Sequence, residues 1–571
     1  NQRVTSRSFA TARAGTARRH RKSLAVGEPQ NGGNLGCALR LDHGLDGERR
    51  LCGRGLVVSV VEHRGPRVGE HVGLADDAFE LGDDVSRQRS IGLRWAHAAC
   101  IQHTRPASRH TAQLVRRCAA MHKEQLSDIA ARALELAKRL GASEADVLAS
   151  ESTDFDVKVA DGAVLSLSQA TRKSLGLRLF VEGRLGFVTT SDFGVASLTQ
   201  AVERALAMAR EAGADPHNGL AEIAPGIRDA AKALDLYDDA VVALSAETKI
   251  AWAHALEDAA RATDARVRKF RDSGVSTSVG ENVLATSSGA VRTHHGTSIA
   301  LWCNPVAEQD GQLQTEVWYD AKTHVADLEA VESIGRVAAT RAARMLGARP
   351  IKTQRVTVIF EPAVAAGLIG GMSSALNGDM VYKKASFLSD KLHATLGSPL
   401  LTVTDDPHRL RGTASTAFDG EGLPTERRAI IDAGVLTGFF YDTYTARKAG
   451  VDSTANAQRS AGSLPHAGPF NLIVEPGDSD VGEIYRSAEH ALVVTRGLGQ
   501  GLNSVSGEYS RGANGLWLEH GEVVHPVQEV TIAGDFLAML SQIDRVGSDL
   551  MVRGSVAAPT LRIADVTVSG S

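Results

Sequence analysis

The side chains that could do chemistry in this chain are few and loosely spaced. Asp419 and Glu421 stand two residues apart in Asp419-Gly-Glu-Gly-Leu-Pro-Thr425, with Arg428 just beyond. Carboxylates so placed could divide acid and base work. In a Gly-rich turn before a proline they could equally accept backbone N–H groups and pair with Arg427 or Arg428, and the turn chemistry favours that structural role. Metal-assisted hydrolysis needs two or three N, O or S ligands converging on the cation, plus a carboxylate to take a proton from bound water. His294-His295, His520 and His525 come nearest. Adjacent residues on a strand point to opposite faces, and His520 and His525 straddle a turn at Gly521, so both pairs are poor chelates. Cys303, in the apolar run Ala300-Leu-Trp-Cys303, reads as a buried core thiol. Gly497-Leu-Gly-Gln-Gly501 is followed by Leu502-Asn-Ser-Val-Ser-Gly507 and no helix, so a dinucleotide-phosphate cradle is missing; close approach of a backbone or a peptide strand explains the glycines better. Ser504 and Ser506 lie outside any GxSxG nucleophile elbow.

The element around which the chain is organised runs from Val356 to Asp379. Val356, Val358 and Phe360 alternate as in a strand, and Pro362 pre-sets the helical φ for the residues after it. Strand, turn and helix in that order commonly mount catalytic groups. Yet from Pro362 to Gly378 there is no charged residue, no His and no Cys.

At this segment the chain resembles the TldD/PmbA family, metallopeptidases also described as modulators of DNA gyrase. The resemblance runs from about Met121 to the C-terminus and is carried by Leu376-Asn-Gly-Asp379, Asp419–Thr425, Gly499-Gln-Gly-Leu-Asn503 and Gly507-Glu-Tyr-Ser-Arg-Gly-Ala-Asn-Gly515. The metal-bearing TldD branch has an HExxxH helix before the Leu-x-Gly-Asp turn. Counting back, its ligand and base positions fall on Ile369, Gly370 and Ser374, and the Cys that this branch places beside the Gly-rich run falls on Arg496. All four are replaced, so the chain is similar to the PmbA/TldE branch, and a cation at 496 would repel a metal. The resemblance implies no metal and no catalytic residue in this chain, with zinc held by a TldD-type partner. It implies a cytoplasmic heteromeric peptidase that trims peptides, including the leader of a peptide antibiotic, and degrades an antitoxin. The expected peptide-contacting residues are Asp419, Glu421, Arg428, Gly499, Gln500, Gly501 and Asn503. A non-proteolytic module regulating a toxin–antitoxin or gyrase system, an independent hydrolase, and a homodimer in the partner's absence remain alternatives.

The rest of the chain supplies the frame. With 571 residues, 43% of them hydrophobic, there is ample material for two or more cores. Residues 1–120 hold 20 Lys and Arg against 11 Asp and Glu, so the whole chain's −4 leaves −13 for residues 121–571. An acidic body argues against duplex DNA as the main ligand. No uncharged run reaches the ~20 apolar residues of a membrane span. Residues 1–120 contain a single Lys, no Met and four of the five cysteines, and are expected to be an upstream, non-native extension, the native chain starting at Met121. A transit peptide over residues 1–22 and zinc binding by Cys37, Cys52, His63 and His71 are the functional alternatives there. Residues 121–350 are expected to form an α+β domain of two helix–antiparallel meander–helix units. Hairpin turns are placed at Asp161-Gly162 and Glu182-Gly183. In the second unit, strands are expected near Val267, Val283 and 299–302. Residues 351–571 are expected to form a strand-rich barrel-like or sandwich domain.

Overall fold

A computed structural model describes residues 126–229 and 231–570, all of them within one compact unit, Gln102–Ser571. The expectations for residues 1–120 lie outside the described residues. Helix α1 (126–139) buries Leu126, Ala130, Ala133, Leu136 and Ala137. Leu140 lies past the helix end and is exposed.

Two very long hairpins come next. β1 (Glu144–Ala160) and β2 (Ala163–Val181) turn at Asp161-Gly162, with φ of 52° and 79°. β3 (Arg184–Thr190) returns over Glu182-Gly183, φ 51° and 74°. Both turns are where the Asp-Gly and Glu-Gly pairs placed them, because two successive left-handed residues match the strand twist. After α2 (Val195–Glu211) come β4 (Gly226–Asp229), α3 (Ala246–Thr263), β5 (Val267–Thr286), β6 (Ala290–Gln309), β7 (Gln312–Thr315), β8 (Trp318–Lys322) and α4 (Val331–Arg344). The strands expected as separate short pieces near Val267, Val283 and 299–302 are two continuous strands of 20 residues each. Their Ser, Thr and Gly residues look like turn chemistry, but β5 is paired on both sides, with β1 and β6. All the strands so far belong to one sheet, β3-β2-β1-β5-β6-β4, with β7 and β8 also on β6. Helices flank the strands in the expected order, but β1 pairs β5, so the strands do not separate into two meanders. A single 3-10 turn at Val325–Asp327 precedes α4.

β9 (Gln354–Phe360) leads into α5 (Pro362–Gly370), as the alternation and Pro362 require. Beyond a small sheet that contains β10 (Val403–Asp405), β11 (Arg428–Asp432), β12 (Val435–Leu436) and β13 (Leu472–Val474), the chain forms β14 (His490–Leu498), β15 (Glu508–Glu519), β16 (Glu522–Asp535) and β17 (Ile543–Val546). β18 (Val556–Ala557) joins the small sheet, and β19 (Leu561–Ser569) ends the chain. The order β16-β15-β14-β9-β19 is closed by pairing of β16 with β19, which makes a barrel. The fold is α+β with a C-terminal barrel. α5 contributes Val364, Ala365, Leu368 and Ile369 to the barrel-side core, together with Phe360, Tyr509 and Phe536.

Candidate functional site

Two of the positions onto which the resemblance maps a metal motif, Ile369 and Gly370, lie on α5, and Ser374 follows it. Ile369 is 1% exposed and sits in the core, Gly370 faces Val556, and Ser374 is exposed in the turn after the helix. Asn377 then caps the next short helix by accepting from the Asp379 N–H at 2.9 Å, and Asp379 pairs with Lys383. Ile and Gly offer no metal ligand and Ser374 only a neutral hydroxyl, so these positions do not fit a zinc ion. Among the described residues no group of three or more His, Cys, Asp or Glu could hold a metal. His294 and His295 are neighbours on β6; His520 forms the β15–β16 turn with Gly521 (φ 50° and 83°), and His525 lies on β16. His490, overlooked in the sequence, stacks on Trp517 with ring centroids 6.3 Å apart.

The end of α5 nearest β9 is ringed by arginines. Glu361, just before the helix, accepts from Arg341 at 2.7 Å and Arg344 at 3.0 Å. Arg496 donates to the Thr315 carbonyl at 3.1 Å. Burial pushes the neighbouring Glu316 carboxyl above its usual range, against the pull of Arg341 and Arg496.

Arg511, on β15, was not singled out from the sequence. Its guanidinium lies on backbone cleared by glycines. A Cβ at Gly497 would stand 2.5 Å from Arg511 Cζ, one at Gly501 3.3 Å from its Cδ, and one at Gly367 of α5 3.2 Å from Nη1. The Gly-rich segment after β14 passes beside α5, where a Cβ at Gly371 would touch Leu502. Gly499 (φ 74°) and Gln500 are exposed, and no neighbour stands near Gly499. Asn503 folds the segment by accepting from the Val505 and Ser506 N–H groups at 2.9 and 3.2 Å. No helix comes after the glycines before Phe536.

Asp419 and Glu421 do something else. Asp419 accepts from the backbone N–H groups of Glu421 (2.9 Å), Leu423 (3.0 Å) and Ala457 (3.1 Å). Burial and the charge of Glu421 push its carboxyl up to about 7. The expected pairing of Glu421 with Arg427 or Arg428 is not made. Glu421 accepts from Arg178 at 3.1 Å and from the Thr443 N–H at 2.8 Å. Arg178 also grips Asp146, at 2.5 and 3.0 Å, and Asp146 accepts from Arg459 at 2.9 Å. Burial raises the Asp146 carboxyl, but the two arginines outweigh it and hold it below the usual range. Arg427 is instead bound to Glu475, and Arg428, on β11, lies 3.9 Å from Glu426. The sequence does carry a signal for this cluster: Arg178 interrupts the apolar run Leu175–Phe180, and Asp146 interrupts Ala145–Ala149. No hydrogen bond or ion pair joins the Asp419–Glu421 turn to Gly499–Asn503 among the described residues, so the expected contact residues form two groups. Cys303 is fully buried, and burial pushes its thiol up to about 12.

Three family models match the chain: PmbA/TldA metallopeptidase domain 1 over residues 145–209, the central domain over 240–346, and the C-terminal domain over 353–570. The metalloprotease PmbA of Escherichia coli O157:H7 is 34% identical over 445 residues, 77% of this chain and 96% of that protein. A Bacteroides thetaiotaomicron protein solved as a modulator of DNA gyrase superposes with a TM-score of 0.71 at 29% identity, covering 78% of this chain and 99% of that one. TldE of Thermococcus kodakarensis shares the fold at TM-score 0.68 and 21% identity, covering 76% of this chain and 99% of its own. The three matched domains and the 34% identity to a nearly whole relative establish that this chain belongs to the PmbA/TldD family of metallopeptidases.

Proposed function

We propose that the chain is the PmbA/TldE-type, metal-free subunit of a cytoplasmic peptidase, assembled with a TldD-type subunit that holds zinc. The observation that carries this is the identity of positions 369, 370 and 374: Ile369 fills core space, Gly370 carries no side chain, and Ser374 is a lone exposed hydroxyl. The chain's part is to shape a peptide channel and hold its partner. Residues 121–350 and 351–571 serve as its two domains, and the open Gly499, with Gln500, Gly501 and Asn503, lines the channel. Glycines leave main-chain groups within reach of an extended peptide, which can then bind by backbone hydrogen bonds without regard to its sequence. Asp419 and Glu421, whose oxygens are taken by internal donors, are assigned to structure.

The test is metal content together with cleavage of an unfolded peptide, by the chain alone and mixed with a TldD-type subunit. No bound metal and cleavage only in the mixture is the expected result. Stoichiometric zinc with chelator-sensitive cleavage by the chain alone would overturn the proposal. Tight partner binding with no cleavage in the mixture would favour a non-proteolytic regulator.

A further inference from the structure

We propose that Arg511, with the glycines around it, forms a carboxylate-binding subsite beside α5, so that the channel takes peptides presenting a carboxylate there, either a free C-terminus or an Asp or Glu side chain. The inference rests on the peptide-channel proposal and names the chemical class of the bound group.

The argument starts from space. Gly497 and Gly501 do not have positive φ, so no backbone conformation demands glycine at either position. What demands it is contact: a Cβ at Gly497 would fall 2.5 Å from Arg511 Cζ, and one at Gly501 would fall 2.7 Å from the Tyr509 ring. Gly367 lies inside α5, where glycine costs about 1 kcal/mol relative to alanine. A Cβ there would crowd Arg511 Nη1 at 3.2 Å. Gly497 and Gly367, on two separate segments, thus make room for the guanidinium, and Gly501 makes room for the Tyr509 ring and the Arg511 Cδ.

The second observation is charge. Arg341 and Arg344 are matched by Glu361, and Arg496 is tied to the Thr315 carbonyl. Arg511 is half-buried, and among the described residues no carboxylate comes within ion-pair distance of it. Its Nε is buried without a hydrogen-bond partner. Arginine presents a planar fork of N–H donors that fits a carboxylate through two parallel bonds. The surroundings suit a peptide: Leu498 and Val505 are 40% and 56% exposed, and Gly367 and Gly371 are exposed on the helix.

The experiment uses the full chain, alone and with a TldD-type subunit, and three fluorescein-labelled peptides of one neutral eight-residue sequence. The first has a free C-terminal carboxylate, the second a C-terminal amide, and the third an amide with one internal Glu. Binding is read by fluorescence anisotropy for the wild type, R511K and R511M, with thermal unfolding as the check on folding. The wild type is expected to bind the free-carboxylate peptide, the internal-Glu peptide or both about tenfold or more tightly than the plain amide. Which peptide gains identifies the source of the carboxylate. R511M should lose the preference, and R511K should keep part of it. Equal, measurable binding of all three by the wild type would overturn the carboxylate subsite and leave the channel standing. No binding of any peptide would overturn the channel and the subsite together. Weakening of all three peptides by the same factor in R511M would assign Arg511 to packing and overturn the subsite.

Discussion

The buried cluster of Asp146, Arg178, Arg459 and Glu421 makes a quantitative test of what ties β1 and β2 to the segments after β10. The four side chains carry two charges of each sign, and all four are nearly inaccessible. Arg178→Met removes three hydrogen bonds. Asp146 keeps Arg459, but Glu421 keeps only the Thr443 N–H, and the buried cluster is left with one uncompensated negative charge. Breaking a buried pair from one side costs about 3–5 kcal/mol, most of it the penalty of the stranded charge. Glu421→Gln strands a positive charge instead and should cost a similar amount. The double variant restores neutrality around Asp146–Arg459, so it should cost no more than the worse single change, a coupling of about 3 kcal/mol or more. Urea unfolding followed by circular dichroism is the assay, because guanidinium would screen the charges being measured. Costs that add to within about 0.5 kcal/mol would refute the claim that Arg178 and Glu421 neutralise each other.

Other expectations rest on single contacts. Asp419 and Asp405 have folded pKa values raised by burial, to about 7 and about 6. Raised carboxyls favour the folded state most when protonated, so stability should fall as pH rises from about 4 to about 7. A thermal midpoint lower at pH 8 than at pH 5, with the difference reduced in Asp419→Asn, is the expected record, and a midpoint that rises over that range would contradict it. Cys303 should stay unmodified by iodoacetamide at pH 8 in the folded chain and react after denaturation, as read by peptide mass mapping. Gly515→Ala would drive a methyl to 2.0 Å from the Val493 carbonyl between β14 and β15, and should cost about 1–3 kcal/mol or more in urea unfolding. A neutral result there would mean the strands can part without cost.

Local chemistry was legible wherever one short segment decides the outcome. The Asp161-Gly162 and Glu182-Gly183 turns, the strand–Pro–helix at 354–370 and the buried Cys303 all depend on neighbours in sequence. Features set by distant partners were not legible. The polar centre of β5 is extended because β1 and β6 flank it, and nothing within Ser273–Asn282 says so. Glu421 chose Arg178, 243 residues away, over the arginines six and seven positions along. Arg511 lies inside the motif segment Gly507–Gly515, but its role depends on glycines of α5 and of the 497–501 segment, which meet only in the fold.

The surroundings of α5 differ between its two sides. The side that bears Ile369 is ordinary core, continuous with Phe360 and Leu368. The side that bears Gly367 is not. A helix serving packing alone would gain about 1 kcal/mol from alanine at that position, and the Arg511 guanidinium stands where the methyl would go. Holding an arginine there without a carboxylate partner stabilises nothing that a methionine of similar length could not. The arrangement makes physical sense if the missing counter-charge arrives on a ligand.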